Sequence, residues 1–168
     1  MSEKAVVQKR RFVALIAICV IVSVLYCMVY LKDNRMIRRI SIPEDAVNDA
    51  DQYLYGIDYP YKLEHNYLTL TGYAVRRDEN LDYINNTVVL MSEDKKDCFA
   101  MNTVAQERGL TGFFNTGYDY SDGGLIAVGD ISEIRRDMPY EVYILTIDHN
   151  NQAHLLDSCI SVDLSQSI

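Results

Sequence analysis

The sequence predicts a mainly β protein, an antiparallel β-sandwich of immunoglobulin-like or carbohydrate-binding-like type, behind an N-terminal transmembrane helix. Three observations predict it. Phe12–Leu31 is a run of twenty residues without a charge. Beyond Asn66, short β-branched and aromatic segments recur with turn residues between them. No long stretch of helical period interrupts those segments.

The apolar run comes first. At about 1.5 Å of rise per residue it reaches roughly 30 Å, the thickness of a bilayer's hydrocarbon core. Backbone groups in lipid have no water to bond, so the run is expected as a helix. It is longer than a signal-peptide core, and its exit, Tyr26-Cys27-Met28-Val29, has no small-x-small pair for a peptidase. The expectation is an uncleaved single-pass anchor. Four basic residues precede it (Lys4, Lys9, Arg10, Arg11) and four follow it (Lys32, Arg35, Arg38, Arg39), so flanking charge is a near tie. The basic tail abuts the run directly, which places the tail in the cytoplasm and the following domain outside the cell.

Domain organisation follows as a tail over 1–11, an anchor over 12–31, a stalk and connector over 32–66 and a β-sandwich over 67–168. Within the stalk, Ser41 and Glu44 read as a capping box. Val47, Ala50 and Leu54 recur at helical spacing, and Gly56 suits a helix stop. These predict an amphipathic helix over about 42–55. Ile57–Asn66 reads as a tyrosine-rich connector broken by Pro60.

In the sandwich, Tyr67–Val75 alternates, with Leu68, Leu70 and Ala74 on one face. Asp78–Asn86 reads as a loop and Thr87–Met91 as a strand. Ser92–Lys96 reads as a hairpin tip, with Asp97–Asn102 returning. Val104–Leu110 reads as irregular or a single helical turn, and Gly112–Asn115 as the start of a strand. Gly124–Val128 is a short apolar strand. Tyr140–Asp148, apolar on both faces, is expected at the centre of a sheet. His149–Gln152 turns the chain, and Ala153–Leu164 closes the domain as one strand or two.

The order of motifs carries a resemblance. Gly72-Tyr73-Ala74 is followed by Val88-Val89-Leu90, a charged hairpin, Arg108 ahead of Gly112-Phe113, a Pro139-to-Ile144 strand and a final Ile160-Ser161-Val162. This resembles the small β-sandwich modules on membrane-anchored surface proteins of Gram-positive bacteria associated with polysaccharide assembly. Those modules usually carry Trp where Tyr73 stands. The resemblance implies an extracytoplasmic domain and carries no active-site residue across.

Chemistry is sparse. No phosphate loop, no zinc-protease helix and no serine-nucleophile elbow is present. A sortase-type transpeptidase needs threonines before its cysteine and an arginine after it; Leu155–Cys159 has neither. His149 and His154 flank a turn and read as exposed turn histidines, too few for a zinc site. Asp119, Ser121 and Asp122 lack calcium-loop spacing. No catalytic residue, metal or cofactor is assigned, and the expectation is a protein that is not an enzyme. Cys98 and Cys159 lie in the domain; an oxidising exterior permits a bridge between them, and two separate thiols is the alternative.

From Pro43 onward 8 Lys and Arg face 22 Asp and Glu, a balance of −14. That field repels nucleic acid and anionic lipid headgroups. Beyond the bilayer, the expected partner is a neutral surface glycan or wall polymer, or another envelope protein on which the chain docks as an accessory. Tyr53, Tyr55, Tyr59, Tyr61 and Tyr67 are the candidate ligand-binding cluster. Several exposed, coplanar rings would favour glycan; buried rings would favour the accessory.

Overall fold

The computed structural model describes residues 3–33, 36–82 and 85–166. Met1 and Ser2 of the expected tail, Arg35 of the basic flank, and Tyr83 and Ile84 of the expected loop lie outside the described residues. The chain divides into two compact units, 1–34 and 35–168.

The first unit is α1, Glu3–Asp33. Its stretch Phe12–Asp33 is the one helix among the described residues long and apolar enough to cross a membrane. Its side chains, Leu15, Ile18 and Val22 among them, are exposed on every side. A helix apolar all round suits lipid rather than water.

Among the described residues the second unit has ten strands in two antiparallel sheets. In chain order they are β1 (Arg38–Arg39), β2 (Tyr53–Ile57), β3 (Lys62–Glu64), β4 (Tyr67–Arg76), β5 (Asn86–Ser92), β6 (Cys98–Ala100), β7 (Asn102–Gln106), β8 (Gly124–Asp130), β9 (Pro139–Ile147) and β10 (Ala153–Asp163). A short helix, α2 (Leu110–Phe114), follows β7. The front sheet runs β2-β4-β8-β7, with β3 also paired to β4; the back sheet runs β1-β6-β5-β9-β10.

Alternation builds the core. Leu68, Leu70 and Ala74 of β4 and Leu125 and Ala127 of β8 point inward from the front sheet. Val88 and Leu90 of β5, Val142 and Ile144 of β9 and Leu156 of β10 meet them from the back sheet. β9 is interior, bonded to β5 on one side and β10 on the other. β10 is one strand with a bulge: its register slips between Asp157 and Ile160, and Cys159 takes a left-handed φ of 58°. The hydroxyl of Ser158 donates to the Val142 carbonyl at 2.6 Å and satisfies it there.

Three expectations are corrected. First, no helix spans 42–55: Val47 bridges to β10, a single 3-10 turn occupies Ala50–Gln52, and β2 begins at Tyr53. The apolar residues there serve different surfaces rather than one helix stripe. Gly56 stops nothing; it pairs with Tyr73 in mid-strand. The connector is equally ordered, since β3 lies within it. Second, 102–106 is a strand and not an irregular turn. Third, Gly112–Asn115 does not start a strand; α2 runs through it and ends at Asn115 in a left-handed cap.

The expected stalk is thus a strap on the sandwich. Met36 bridges to Asp130 at the end of β8, and β1 pairs with β6. The Ile40 amide donates to the Cys98 carbonyl at 2.9 Å. Ile40 and Ile42 then lie on the outer face of the back sheet, against Val89, Met91, Cys98, Tyr143, Leu145 and Leu155. At the far edge, Val47 exchanges hydrogen bonds with Ala153 and Leu155 of β10. Arg39, with its side chain 66% exposed, pairs with Asp97 at 2.7 Å.

Candidate functional site

The five candidate tyrosines do not form a platform. Tyr53 is 5% exposed and packs on His154, ring centroids 5.2 Å apart. Tyr55 and Tyr61 are half-buried against the core, and Tyr67 is half-buried at the start of β4. Tyr59 alone is open, at 76%. It meets Tyr61 edge-on, at 78° between planes. Strand alternation separates these residues: Tyr53 and Tyr55 share the inner side of β2, whereas Tyr59 rides the turn before β3.

What the strand register does bring together is the outer face of the front sheet. Val104, Ile126 and Thr71 stand in one row across β7, β8 and β4; Asn102, Val128, Thr69 and Lys62 form the next; Gln106, Gly124, Tyr73 and Gly56 the third. Beyond Tyr73 the face is covered, because Leu110, Phe114, Tyr118 and Tyr120 pack over Val75 and Leu54. Tyr120 is fully buried there, and its hydroxyl accepts from the Asp78 amide at 3.0 Å.

Arg108 ties this face together. Its two terminal nitrogens donate to both oxygens of Asp58 at 2.9 Å, a bidentate pair. Nη1 also donates to the Gly72 carbonyl at 3.2 Å, and the guanidinium lies 5.6 Å from the Tyr73 ring centre. Thr71 donates its hydroxyl to Asp58 at 2.8 Å. The Arg108 hydrogen bonds hold the Asp58 carboxyl below its usual range, against the opposing effect of partial burial.

An aromatic ridge continues from it. Tyr73 packs on Phe114 at 5.5 Å, and Phe114 on Phe113 at 5.0 Å. Phe113 is 76% exposed, and Val104 of β7 is 52% exposed. Arg108, Tyr73 and Phe113 were legible in the sequence as parts of the quoted motifs, but nothing there marked them as neighbours.

β7 is also the edge of the front sheet. At the opposite edge, β2 is half-buried or buried throughout, and β3 is guarded by the charges of Lys62 and Glu64. The sequence of β7, Asn-Thr-Val-Ala-Gln, has no charge, no proline and no bulge, and four of its five residues are exposed. Natural edge strands carry such guards because a bare edge invites another strand.

The cysteine bridge does not form. Cys98 is a buried free thiol and Cys159 an exposed one. Cys98 pairs with Met91, Met91 with Glu141 and Glu141 with Ser161, two residues from Cys159. Three ladder steps of about 4.8 Å separate the two positions, roughly 14 Å against the 7 Å a disulfide tolerates. Burial pushes the Cys98 thiol up to about 11.

His154 is not an exposed turn residue. It is 5% exposed, with Nδ1 2.8 Å from Asp49 Oδ1 and Nε2 3.6 Å from Asp148 Oδ2. The Asp119 carboxylate accepts from the hydroxyls of Thr111 and Ser121 and so fastens the 115–123 loop to α2. Among the described residues no three His, Cys, Asp or Glu side chains converge to hold a metal. The arrangement offers a hydrogen-bonding strand edge, an exposed aromatic and a polar sheet face, which are the elements of recognition. Comparison of the chain with protein-family models, with curated proteins and with solved structures finds no match.

Proposed function

We propose that this chain is a membrane-tethered, non-catalytic accessory whose extracytoplasmic sandwich docks on an envelope protein by accepting a strand at β7. The observation that carries this reading is the bare β7 edge, with the exposed Phe113 of α2 a few residues further along the chain. Strand addition supplies main-chain hydrogen bonds for affinity, and an adjacent aromatic supplies side-chain selection. The charge balance narrows the partner further. From Met36 onward 10 Lys and Arg face 22 Asp and Glu, so a segment with basic residues is drawn in and a second acidic copy is repelled. The tether keeps the domain close to proteins of the same membrane.

A second reading, a neutral surface glycan, is favoured by the Tyr73 ring set among the polar groups of Arg108, Asp58 and Thr71. The resemblance to surface modules beside polysaccharide-assembly machinery supports either partner.

A photo-crosslinking residue placed at Gln106 of the full chain, in intact cells, tests the proposal. A discrete protein adduct is expected. It should vanish when Val104→Lys guards the edge and fall several-fold with Phe113→Ala, while Tyr59→Ala leaves it unchanged. An adduct indifferent to Val104→Lys refutes strand addition. Glycan retention lost with Tyr73→Ala, with no adduct at β7, moves the function to the sheet face.

A further inference from the structure

One end of the strap is fastened by a buried histidine that plays no part in the docking reading. Asp49 precedes the Ala50–Gln52 turn, His154 stands at the start of β10, and Asp148 opens the turn between β9 and β10. The side chains of Asp49, His154 and Asp148 are 15%, 6% and 10% exposed, so solvent screens them little. The ring lies between the two carboxylates, with Nδ1 2.8 Å from Asp49 Oδ1 and Nε2 3.6 Å from Asp148 Oδ2.

A neutral imidazole has one N–H and one lone pair. The short contact assigns the proton to Nδ1, which donates to Asp49. Nε2 is then a lone pair facing a carboxylate oxygen, and it is buried without a hydrogen bond. A buried polar atom left unpaired is costly. A second proton repairs the fault: the imidazolium donates from both nitrogens, and the orphan becomes half of an ion pair.

The surroundings suit that proton. Burial opposes ionisation of Asp148, but the Gln152 and Asn150 amides, the Asn150 side chain and the His154 ring outweigh it and hold the carboxyl below its usual range. Tyr53 packs on the ring with centroids 5.2 Å apart, and burial pushes its phenol up to about 12, which leaves it neutral. Thr146, opposite His154 on β9, is uncharged and hydrogen-bonded to Asn86. Further out, Arg76 of β4 is paired with Glu79 at 3.5 Å, and Asp45, Asp51 and His149 are exposed on the strap and the turn.

The same end of the strap carries Val47. Its amide donates to the Ala153 carbonyl at 2.9 Å, and its carbonyl accepts from the Leu155 amide at 3.0 Å. Val47 thus occupies the outer edge of β10, the last strand of the back sheet.

We propose that His154 is a proton-operated latch: protonated, it clasps Asp49 to Asp148 and keeps Val47 on the edge of β10; neutral, it lets that end of the strap leave. Lifting the strap takes Asp49 away from the ring, so the closed strap binds the proton more tightly than the open one. Acid therefore tightens the strap, and a rise in pH loosens it. The domain carries a second strand edge, covered in mild acid and uncovered as the ring loses its charge.

The test is hydrogen exchange of the Val47 and Leu155 amides in the full chain in phosphatidylcholine nanodiscs, read as protection relative to the intrinsic rate at each pH. Measurements at about pH 5.5 and about pH 8 bracket the range in which imidazoles change charge. Protection of both amides should be at least about tenfold higher at the lower pH, while that of the core Ile144 amide changes less. His154→Gln is neutral at both values and should remove the difference. Asp49→Asn keeps an acceptor for Nδ1 but loses the charge, and should cut the difference below about threefold. Equal protection at the two pH values overturns the proposal. So does a difference that survives either substitution intact, or one matched at Ile144. None of these outcomes bears on the β7 crosslink, so the two readings fail separately.

Discussion

Cys98 is a reporter for the strap that covers it. The thiol sits beneath Ile40 and Ile42, and the strap's Ile40 amide bonds the Cys98 carbonyl. A thiol reagent reaches it when the strap lifts. Replacing both isoleucines by alanine removes three carbons from each. At about 0.8 kcal/mol per buried carbon and half burial, each change costs roughly 1.2 kcal/mol, together about 2.4. If the strap opens as a local unit, that raises the open population, and the labelling rate with it, about 60-fold. The assay is Cys98 labelling in the full chain with Cys19, Cys27 and Cys159 replaced by alanine. Labelling should depend only weakly on urea in the parent protein, because lifting the strap exposes little surface. A urea dependence equal to that of global unfolding, or a rate unmoved by the double substitution, refutes a strap that opens on its own.

Three further outcomes are expected. Gly72→Ala should destabilise the fold by about 2 kcal/mol or more in chemical denaturation, because its new methyl would meet the backbone carbonyl of Gly56 across the β2–β4 ladder. Asp58→Asn should cost about 1 kcal/mol at pH 7, Arg108 being left with neutral acceptors only, the new amide oxygen and the Gly72 carbonyl. The folded-state pKa of Asp58 is depressed, so its contribution is full above the ordinary value of 3.8 and fades as pH falls through the folded value; the parent and Asp58→Asn stabilities should converge there. Removing residues 1–34 should leave a monomeric, cooperatively folding domain. Removing 1–49 strips β1, Ile40, Ile42 and Val47 from the back sheet and should give aggregation, read by size-exclusion chromatography.

The strands that alternate were the ones the sequence made legible. Leu68, Leu70 and Ala74 announce β4, and Tyr140, Val142 and Ile144 alternate inward along β9, an interior strand bonded on both sides. Anchor length was legible because lipid asks only for apolarity and reach. The strap was not. Val47 bridges an edge, Ala50 lies in a 3-10 turn and Leu54 packs under Tyr73 and Val75, yet their spacing of three and four mimics a helix stripe. β7 hid for the opposite reason: Val104 points to solvent and Thr103 inward, which reverses the usual alternation of an amphipathic strand. The five tyrosines do not gather on one face because closeness in the sequence is not closeness on a sheet: Tyr53 and Tyr55 turn inward from β2, and Tyr59 rides the turn before β3.

The strap also constrains the order in which this domain can be made. Its residues are synthesised before any partner exists: Val47 waits for His154, 107 residues later, and the Tyr61 hydroxyl waits for Asp163, 102 residues later. Until β10 has emerged, Val47 has no edge to bridge, and Ile40 and Ile42 lack Leu155 of the surface they lie on. A chain held this long with apolar residues uncovered folds late and slowly, as proteins dominated by distant pairings do. The nascent chain is therefore most open to chaperone capture or to proteolysis after the anchor has inserted and before its last strand arrives.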